Sequence, residues 1–253
     1  MNEDDFTNAK DFRLVNADFA GYVYRLSKKW KRRFLVLEGR QLSYFGSEEM
    51  AMDASIPPKG TIQVCAAYHW TEVNSGLMII SATGEMWKCY YEMTNAGEMI
   101  LPALARITEK CRAVADNRDA GGDLIPASEV VAIRHCCNAN AVEDFKRRNL
   151  SIPLRVKDHV TRGWVEKRGS FVQSWKRRYF VLRENVLAYY DINLEGQTKK
   201  GGDIVVSINN YAKRANGLEF NMASGRCLVG CTETTEDHVQ WLMATNYLSP
   251  HEP

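Results

Sequence analysis

The sequence predicts a mainly β protein with some helix: two seven-stranded β-barrels or sandwiches, each capped by a C-terminal helix and joined by a partly helical linker. Three observations carry this. The run Trp-Lys-Arg-Arg occurs at Trp30–Arg33 and again at Trp175–Arg178, with matched flanks on both sides. Gly21-Tyr22-Val23 and Gly163-Trp164-Val165 precede the two runs, and the aromatic pairs Tyr44-Phe45 and Tyr189-Tyr190 follow them. Such recurrence marks one structural unit used twice. Around each run the apolar spacing is that of short strands and then changes to the 3.6-residue period of a helix. Finally, 253 residues suit two domains, each able to bury its own core.

In the first unit, residues 18–115, turn signals such as Glu38-Gly39, Pro57-Pro58-Lys59-Gly60, Asn74-Ser75-Gly76 and Thr83-Gly84 divide the strands. Strands are expected at about 20–26, 31–37, 41–46, 60–65, 68–73, 76–81 and 86–92. Ile100, Leu104, Ile107, Cys111 and Val114 then form the stripe of an amphipathic helix, with Pro102 near its start, where a missing amide is tolerated. The second unit, residues 161–250, repeats the order with strands at about 163–168, 176–183, 186–190, 203–208, 210–214, 217–222 and 226–231. A helix over 235–248 follows, carrying Trp241, Leu242 and Leu248, with Thr234 and Asp237 in capping-box spacing. This layout is that of a small β-barrel or sandwich with one end plugged by a helix.

The linker, 116–160, begins with Asp119-Ala-Gly-Gly-Asp123. Helices are expected at 127–137 and 140–148, the second opening with Asn140 and Glu143, and an extended stretch ends it at Ile152-Pro153-Leu154. A structureless connection of this length is unusual, so part of it is expected to pack on the domains.

The formal net charge of +2 conceals a division by position. Residues 21–33 carry +6 and residues 163–183 carry +5, which leaves the remainder at −9. Two basic patches on an acidic body attract phosphorylated surfaces. The acidic start Met1-Asn2-Glu3-Asp4-Asp5 lacks the pattern of a signal peptide, and no stretch reaches the roughly 18 apolar residues of a membrane span. A cytoplasmic protein is therefore expected, with any contact it makes at a membrane surface peripheral. Seven scattered cysteines suit reduced thiols. Cys227 and Cys231 have metal-pair spacing but no second pair nearby in sequence, so core thiols are expected there. Cys136-Cys137 alone is weak ground for acylation. No metal, cofactor or catalytic group is expected: the five histidines, at 69, 135, 159, 238 and 251, sit in no nucleophile, metal or phosphate-loop motif.

Strand alternation sharpens the repeat. If Phe180 and Leu182 face the core, Lys176 and Arg178 face inward too, and Lys31 and Arg33 do so ahead of Leu35 and Leu37. Unpaired cations are too costly to bury, so they must stand at an open rim, where they suit a polyanion. Arg32 and Arg177 point outward, to solvent or a bilayer.

Both units resemble pleckstrin-homology (PH) domains, and the chain resembles a tandem PH adaptor. In the second unit the resemblance rests on Gly163–Lys167, Trp175–Leu182, Leu187, Tyr189-Tyr190, Lys200-Gly201 and Trp241. In the first it rests on Gly21–Arg25, Trp30–Leu37, Leu42, Tyr44-Phe45 and Pro58-Lys59-Gly60. The resemblance implies PH-like barrels whose Lys176 and Arg178 contact inositol phosphates, with Lys167 beside them and Lys199 and Lys200 adding contacts. Arg25, Lys31 and Arg33 are the first-unit counterparts, with Lys28 and Lys29 in a shorter loop. Strong binders place a tyrosine in strand three where alignment puts Ala188 and Ser43, which implies weakened or altered headgroup selectivity. Phe171 and Val172, at a loop tip, either enter lipid or fold back. The implied partner is a phosphoinositide-containing membrane. The rival is a protein-interaction scaffold for a cytoskeletal or small-GTPase partner, and nucleic acid is not expected because the cations enter a barrel mouth and lack interleaved exposed aromatics over a long groove.

Overall fold

The computed structural model describes residues 12–118, 124–137, 152–155, 159–169 and 174–248. The helix expected at 140–148, the Asp119–Asp123 stretch and the Phe171-Val172 tip lie outside the described residues. The chain divides into two units, one of residues 1–70 and 75–156, the other of residues 71–74 and 157–253.

In the first unit, β1 (Phe19–Leu26), β2 (Trp30–Glu38), β3 (Gln41–Phe45), β4 (Gly60–His69), β5 (Gly76–Ser81) and β6 (Met86–Tyr91) run in the order β3-β2-β1-β6-β5-β4. Pairing of β3 with β4 closes the ring. The strands expected at 60–65 and 68–73 are a single β4, so the barrel has six strands rather than seven. A register shift between Val64 and Ala66 explains the misreading, since a bulge breaks the alternation that marks one continuous strand.

The closing helix α4 (Ile100–Ala115) buries the whole predicted stripe of Ile100, Leu104, Ile107, Cys111 and Val114. It is fixed to β4 by Thr108, whose hydroxyl donates to the Leu104 carbonyl and accepts from Ala67 N–H, both at 2.8 Å. Before it, a short turn of helix, α3 (Asn95–Glu98), is capped by Thr94, which accepts from Gly97 N–H.

The described part of the linker packs within this unit. The 3-10 turn Ala127–Glu129 runs into α5 (Val130–Cys137), which buries Ile133 and Cys136. Buried Arg40 reaches Glu129 at 2.6 Å and the Val64 carbonyl at 2.9 Å. A two-residue strand, β7 (Ile152–Pro153), pairs with Tyr68 and His69 beyond the stretch of β4 that β3 covers. The sheet's outer face is covered as well. Phe34, Val36 and Phe45 are buried there with Ala51 of helix α2 (Glu48–Met52), and half-buried Leu14 of helix α1 (Phe12–Val15) packs against them. Hence all of Phe34–Leu37 is buried, where alternation alone had placed only Leu35 and Leu37 inside.

The second unit repeats the ring with β8 (Val160–Arg168), β9 (Trp175–Arg183), β10 (Val186–Tyr190), β11 (Gly201–Asn210), β12 (Gly217–Met222) and β13 (Cys227–Cys231). Here too six strands close the barrel. The seventh, expected at 210–214, is a turn held by Tyr211 N–H to the Gly217 carbonyl and Gly217 N–H to the Arg214 carbonyl. Helix α6 (Thr235–Met243) starts at Thr234, which accepts from Asp237 N–H at 3.1 Å. Its Trp241, 1% exposed, plugs the barrel edge-on against Phe180 and Phe220. Among the described residues no helix is long and apolar enough to cross a membrane.

Candidate functional site: two barrel mouths

Register decides which side chains enter each mouth. In the second unit Val165 pairs with Arg178 and Lys167 with Lys176, while Leu182 pairs with Leu187 and Phe180 with Tyr189. Val165, Phe180, Leu182 and Leu187 are core residues. Directly paired residues share a face, so Lys167, Lys176, Arg178 and Tyr189 all point to the inside of the ring, at its open end. The inward direction expected of Lys176 and Arg178 therefore holds.

These residues, with Gly169, Ser174 and Lys200, line a cavity of about 370 Å³. Lys167 Nζ stands 5.6 Å above the Tyr189 ring and donates to the Arg168 carbonyl. Burial, and then the neighbouring Arg226 and Arg178 guanidinium groups, hold its amine below the usual lysine range. Asp191 faces this cluster, meeting Arg178 at 3.0 Å and Lys200 at 2.9 Å, and Asp203 pairs with the neighbouring Arg226 at 3.6 Å. The Lys200 hydrogen bond, which outweighs the opposing effect of burial, and then the Arg178, Lys200 and Lys176 charges keep the Asp191 carboxyl below the usual range. The cavity thus presents an excess of positive charge, with Asp191 as a displaceable internal anion.

The tyrosine across the mouth needs a glycine opposite. Tyr189 pairs with Gly201, and a methyl group on Gly201 would collide with the tyrosine ring. Gly60 stands in the same relation to Tyr44 in the first unit. The strand-three tyrosine therefore exists in both units, one residue after the positions aligned for it. Ala188 and Ser43 occupy the opposite faces of their strands, so the alignment was out by one and the implied loss of selectivity does not follow.

In the first unit Val23 pairs with Arg33 and Arg25 with Lys31, the same register. The contents differ. The Arg25 guanidinium lies 4.4 Å from the Trp87 ring and 4.9 Å from Tyr44, with Glu85 at 3.9 Å. Trp87 is 2% exposed and donates its indole N–H to Glu85. Arg25 is thus taken up by an aromatic box inside its own barrel. Lys31 stays exposed, and Arg33 donates to the Arg32 carbonyl at 3.1 Å. Lys28 and Lys29 are exposed on the connecting turn.

Several expectations change. Lys199 does not join the cavity: it ion-pairs with Glu72 at 2.6 Å, within the same unit. Arg32 and Arg177 are not merely solvated, for Arg32 stacks on Tyr22 and pairs with Glu92, and Arg177 stacks on Trp164 and pairs with Glu233. Sequence reasoning missed Tyr189, Asp191 and Arg226. Parity with Leu187 would have found Tyr189. Arg226 comes from the β12–β13 hairpin, which is remote in sequence. Cys231 is buried as expected of a core thiol, but Cys227, at the start of β13, is exposed; among the described residues no group of three or more metal-ligating side chains forms a site.

Residues 159–249 match the family model of the PH domain. A curated relative, the RAC family serine/threonine-protein kinase homolog of Dictyostelium discoideum, is 31% identical over 86 residues, 32% of this chain and 19% of that protein. The chain therefore spans about a fifth of that relative. Among solved structures, the C-terminal PH domain of pleckstrin in complex with D-myo-Ins(1,2,3,4,5)P5 is similar at 24% identity and TM-score 0.31, over 35% of this chain and 96% of that one. The Slm1 PH domain in complex with phosphoserine is similar at 15% identity and TM-score 0.29, over 34% and 90%. The chain carries a PH domain at 159–249 and a second PH-like barrel ahead of it.

Proposed function

We propose that the second barrel binds phosphorylated inositol headgroups at a membrane surface, and that the chain is a peripheral adaptor brought there mainly by this barrel. The observation that carries the reading is the cavity on which Lys167, Lys176, Arg178 and Lys200 converge, with Tyr189 as its floor. Each charge-assisted contact to a phosphate oxygen contributes about 1.5–3 kcal/mol, and each cation near an anionic leaflet about 1 kcal/mol more. Phosphate displaces Asp191 and takes over Arg178 and Lys200, while Lys167, already short of solvent, gains a counter-charge.

The first barrel serves as a helper. Exposed Lys31 and half-buried Arg33 offer charge, whereas Arg25 is held by Trp87, Tyr44 and Glu85 and adds little. Even a weak second contact matters, since linking two modules raises apparent affinity by about 10²–10⁴ when both reach one surface.

Sedimentation of the full chain with phosphatidylcholine vesicles, with and without phosphoinositide, tests this. Phosphoinositide-dependent pelleting that Lys176→Ala/Arg178→Ala abolishes is expected. Pelleting unchanged in that variant would sink the cavity as the lipid site.

A further inference from the structure

Three separate elements of the first unit bring four thiols together. Cys65 lies in β4 at the register shift between Val64 and Ala66, so it is the bulged residue, outside the regular pairing. The bulge sends its side chain towards the helices. Its thiol interacts with those of Cys111 on α4 and of Cys136 and Cys137 at the end of α5. Cys65 Sγ and Cys137 Sγ are 3.5 Å apart. The corresponding bulge of the second unit, between Val205 and Ser207, carries Val206, which is 47% exposed. The thiol cluster thus belongs to the first unit and its packed α5, not to the barrel fold as such.

The four thiols are not equivalent. Cys65 and Cys111 are fully buried, and Cys136 is 5% exposed and donates to the Ser81 carbonyl at 3.2 Å. Cys137, the last residue of α5, is the member partly open to solvent. An oxidant therefore meets Cys137 first, with Cys65 as the sulfur beside it.

We propose that Cys65 and Cys137 form a reversible disulfide in response to a hydroperoxide, stapling the end of α5 to the barrel wall. The Cys137 thiolate attacks hydrogen peroxide. The O–O bond breaks, the departing hydroxide takes a proton to become water, and Cys137 becomes a sulfenic acid. Cys65 sulfur then attacks the Cys137 sulfur, the S–O bond breaks, and the leaving hydroxide takes the Cys65 proton as a second water. Two thiols lose two hydrogens and one peroxide is reduced to two waters. The sulfurs must close from 3.5 Å to about 2.05 Å, which rotation at the terminal residue of α5 can supply. Hydrogen bonds with Cys111, Cys136 and Cys137, and then burial, hold the Cys65 thiol above its usual range, so Cys65 is not the thiolate that meets the peroxide.

The reduced full chain, treated with hydrogen peroxide and mapped by mass spectrometry, tests this. The expected result is a loss of two hydrogens, a peptide cross-link joining residues 65 and 137, and a rise of roughly 10 °C in the melting temperature of the first unit. Dithiothreitol should reverse all three. Cys137→Ser, at a partly exposed position that tolerates the change, should abolish the cross-link in folded protein, and Cys227→Ser should leave it intact. A cross-link to Cys111 or Cys136 would overturn the assignment. So would over-oxidation of Cys137 while Cys65 remains a thiol.

Discussion

In the first mouth the strand-one cation, Arg25, lies against Trp87 and Tyr44 with Glu85 beside it; the second mouth has Lys167, Leu228, Tyr189 and Arg226 at the same places. The correspondence follows from pairing. Arg25 faces Lys31 as Lys167 faces Lys176, and the Glu85 carbonyl accepts from Ser81 N–H as the Arg226 carbonyl accepts from Met222 N–H. Two exchanges on the last hairpin, acid for base and indole for leucine, reverse the surroundings of the strand-one cation. With an acid and an indole there, the barrel supplies its own partner for the cation. With an arginine and a leucine, the lysine is left among like charges, and an external anion relieves them. The Trp-Lys-Arg-Arg strand is nearly the same in both, so it sets the backbone of a site but not its occupancy.

The largest expected effect breaks the first mouth. Trp87→Ala removes a sealed ring and leaves Arg25 without its box, at a cost of about 3–5 kcal/mol in stability by denaturant unfolding of the first unit. If the loss is below about 1 kcal/mol, Trp87 is not the filling described. The next effect contrasts the two strands directly. Lys176→Ala/Arg178→Ala should weaken binding to phosphoinositide vesicles by about 10²-fold, two charged contacts' worth, while Lys31→Ala/Arg33→Ala should weaken it by about threefold or less. Equal losses would erase the distinction between a main site and a helper.

A smaller effect has the opposite sign. Asp191→Asn removes the internal competitor for Arg178 and Lys200, and a soluble inositol phosphate should bind roughly fivefold tighter by calorimetry, the sum of two exposed ion pairs. Gly46 follows Tyr44-Phe45 where Asp191 follows Tyr189-Tyr190, so the first mouth has no acid at this place to remove.

The smallest effect is in pH. Because Lys167 is held below the usual lysine range and bound phosphate favours its charged form, affinity should be flat near neutrality and fall as pH rises through that lowered value. Lys167→Arg should flatten the fall. Stability of the free protein runs the other way: the folded state disfavours the charged amine, so this contribution improves as pH climbs from the lowered value towards 10.5. An alkaline fall of equal depth in Lys167→Arg would assign the titration to another group.

Much of the fold was legible because the strand and helix periods each repeat over a unit. The inward lysines and arginines were legible because parity is a local property of β2 and β9. What escaped has a physical reason in each case. The seventh strand of each unit was an artefact of a bulged β4 in one and a hydrogen-bonded turn after Asn210 in the other. Whether a cation is free depends on residues brought in by the last hairpin, Glu85 and Trp87 or Arg226 and Leu228. No spacing within the repeated strand reports on them. Asp191 carries no motif in the sequence, and its part in the mouth rests on its distances to Arg178 and Lys200.

The pairing of β7 on β4 has a consequence for how the first barrel meets other chains. Leu154 N–H donates to the Ala67 carbonyl, towards the sheet, so by strand alternation the nitrogen of Pro153 faces away from it. Proline has no hydrogen there, and the outermost edge of the sheet lacks the donor on which a further strand would grow. In the second unit, among the described residues, Ser207–Asn210 of β11 pair with β12 on one side and with no strand on the other. Aggregation under partial unfolding is therefore expected to start from the second barrel, and a Pro153→Val chain should extend that hazard to the first.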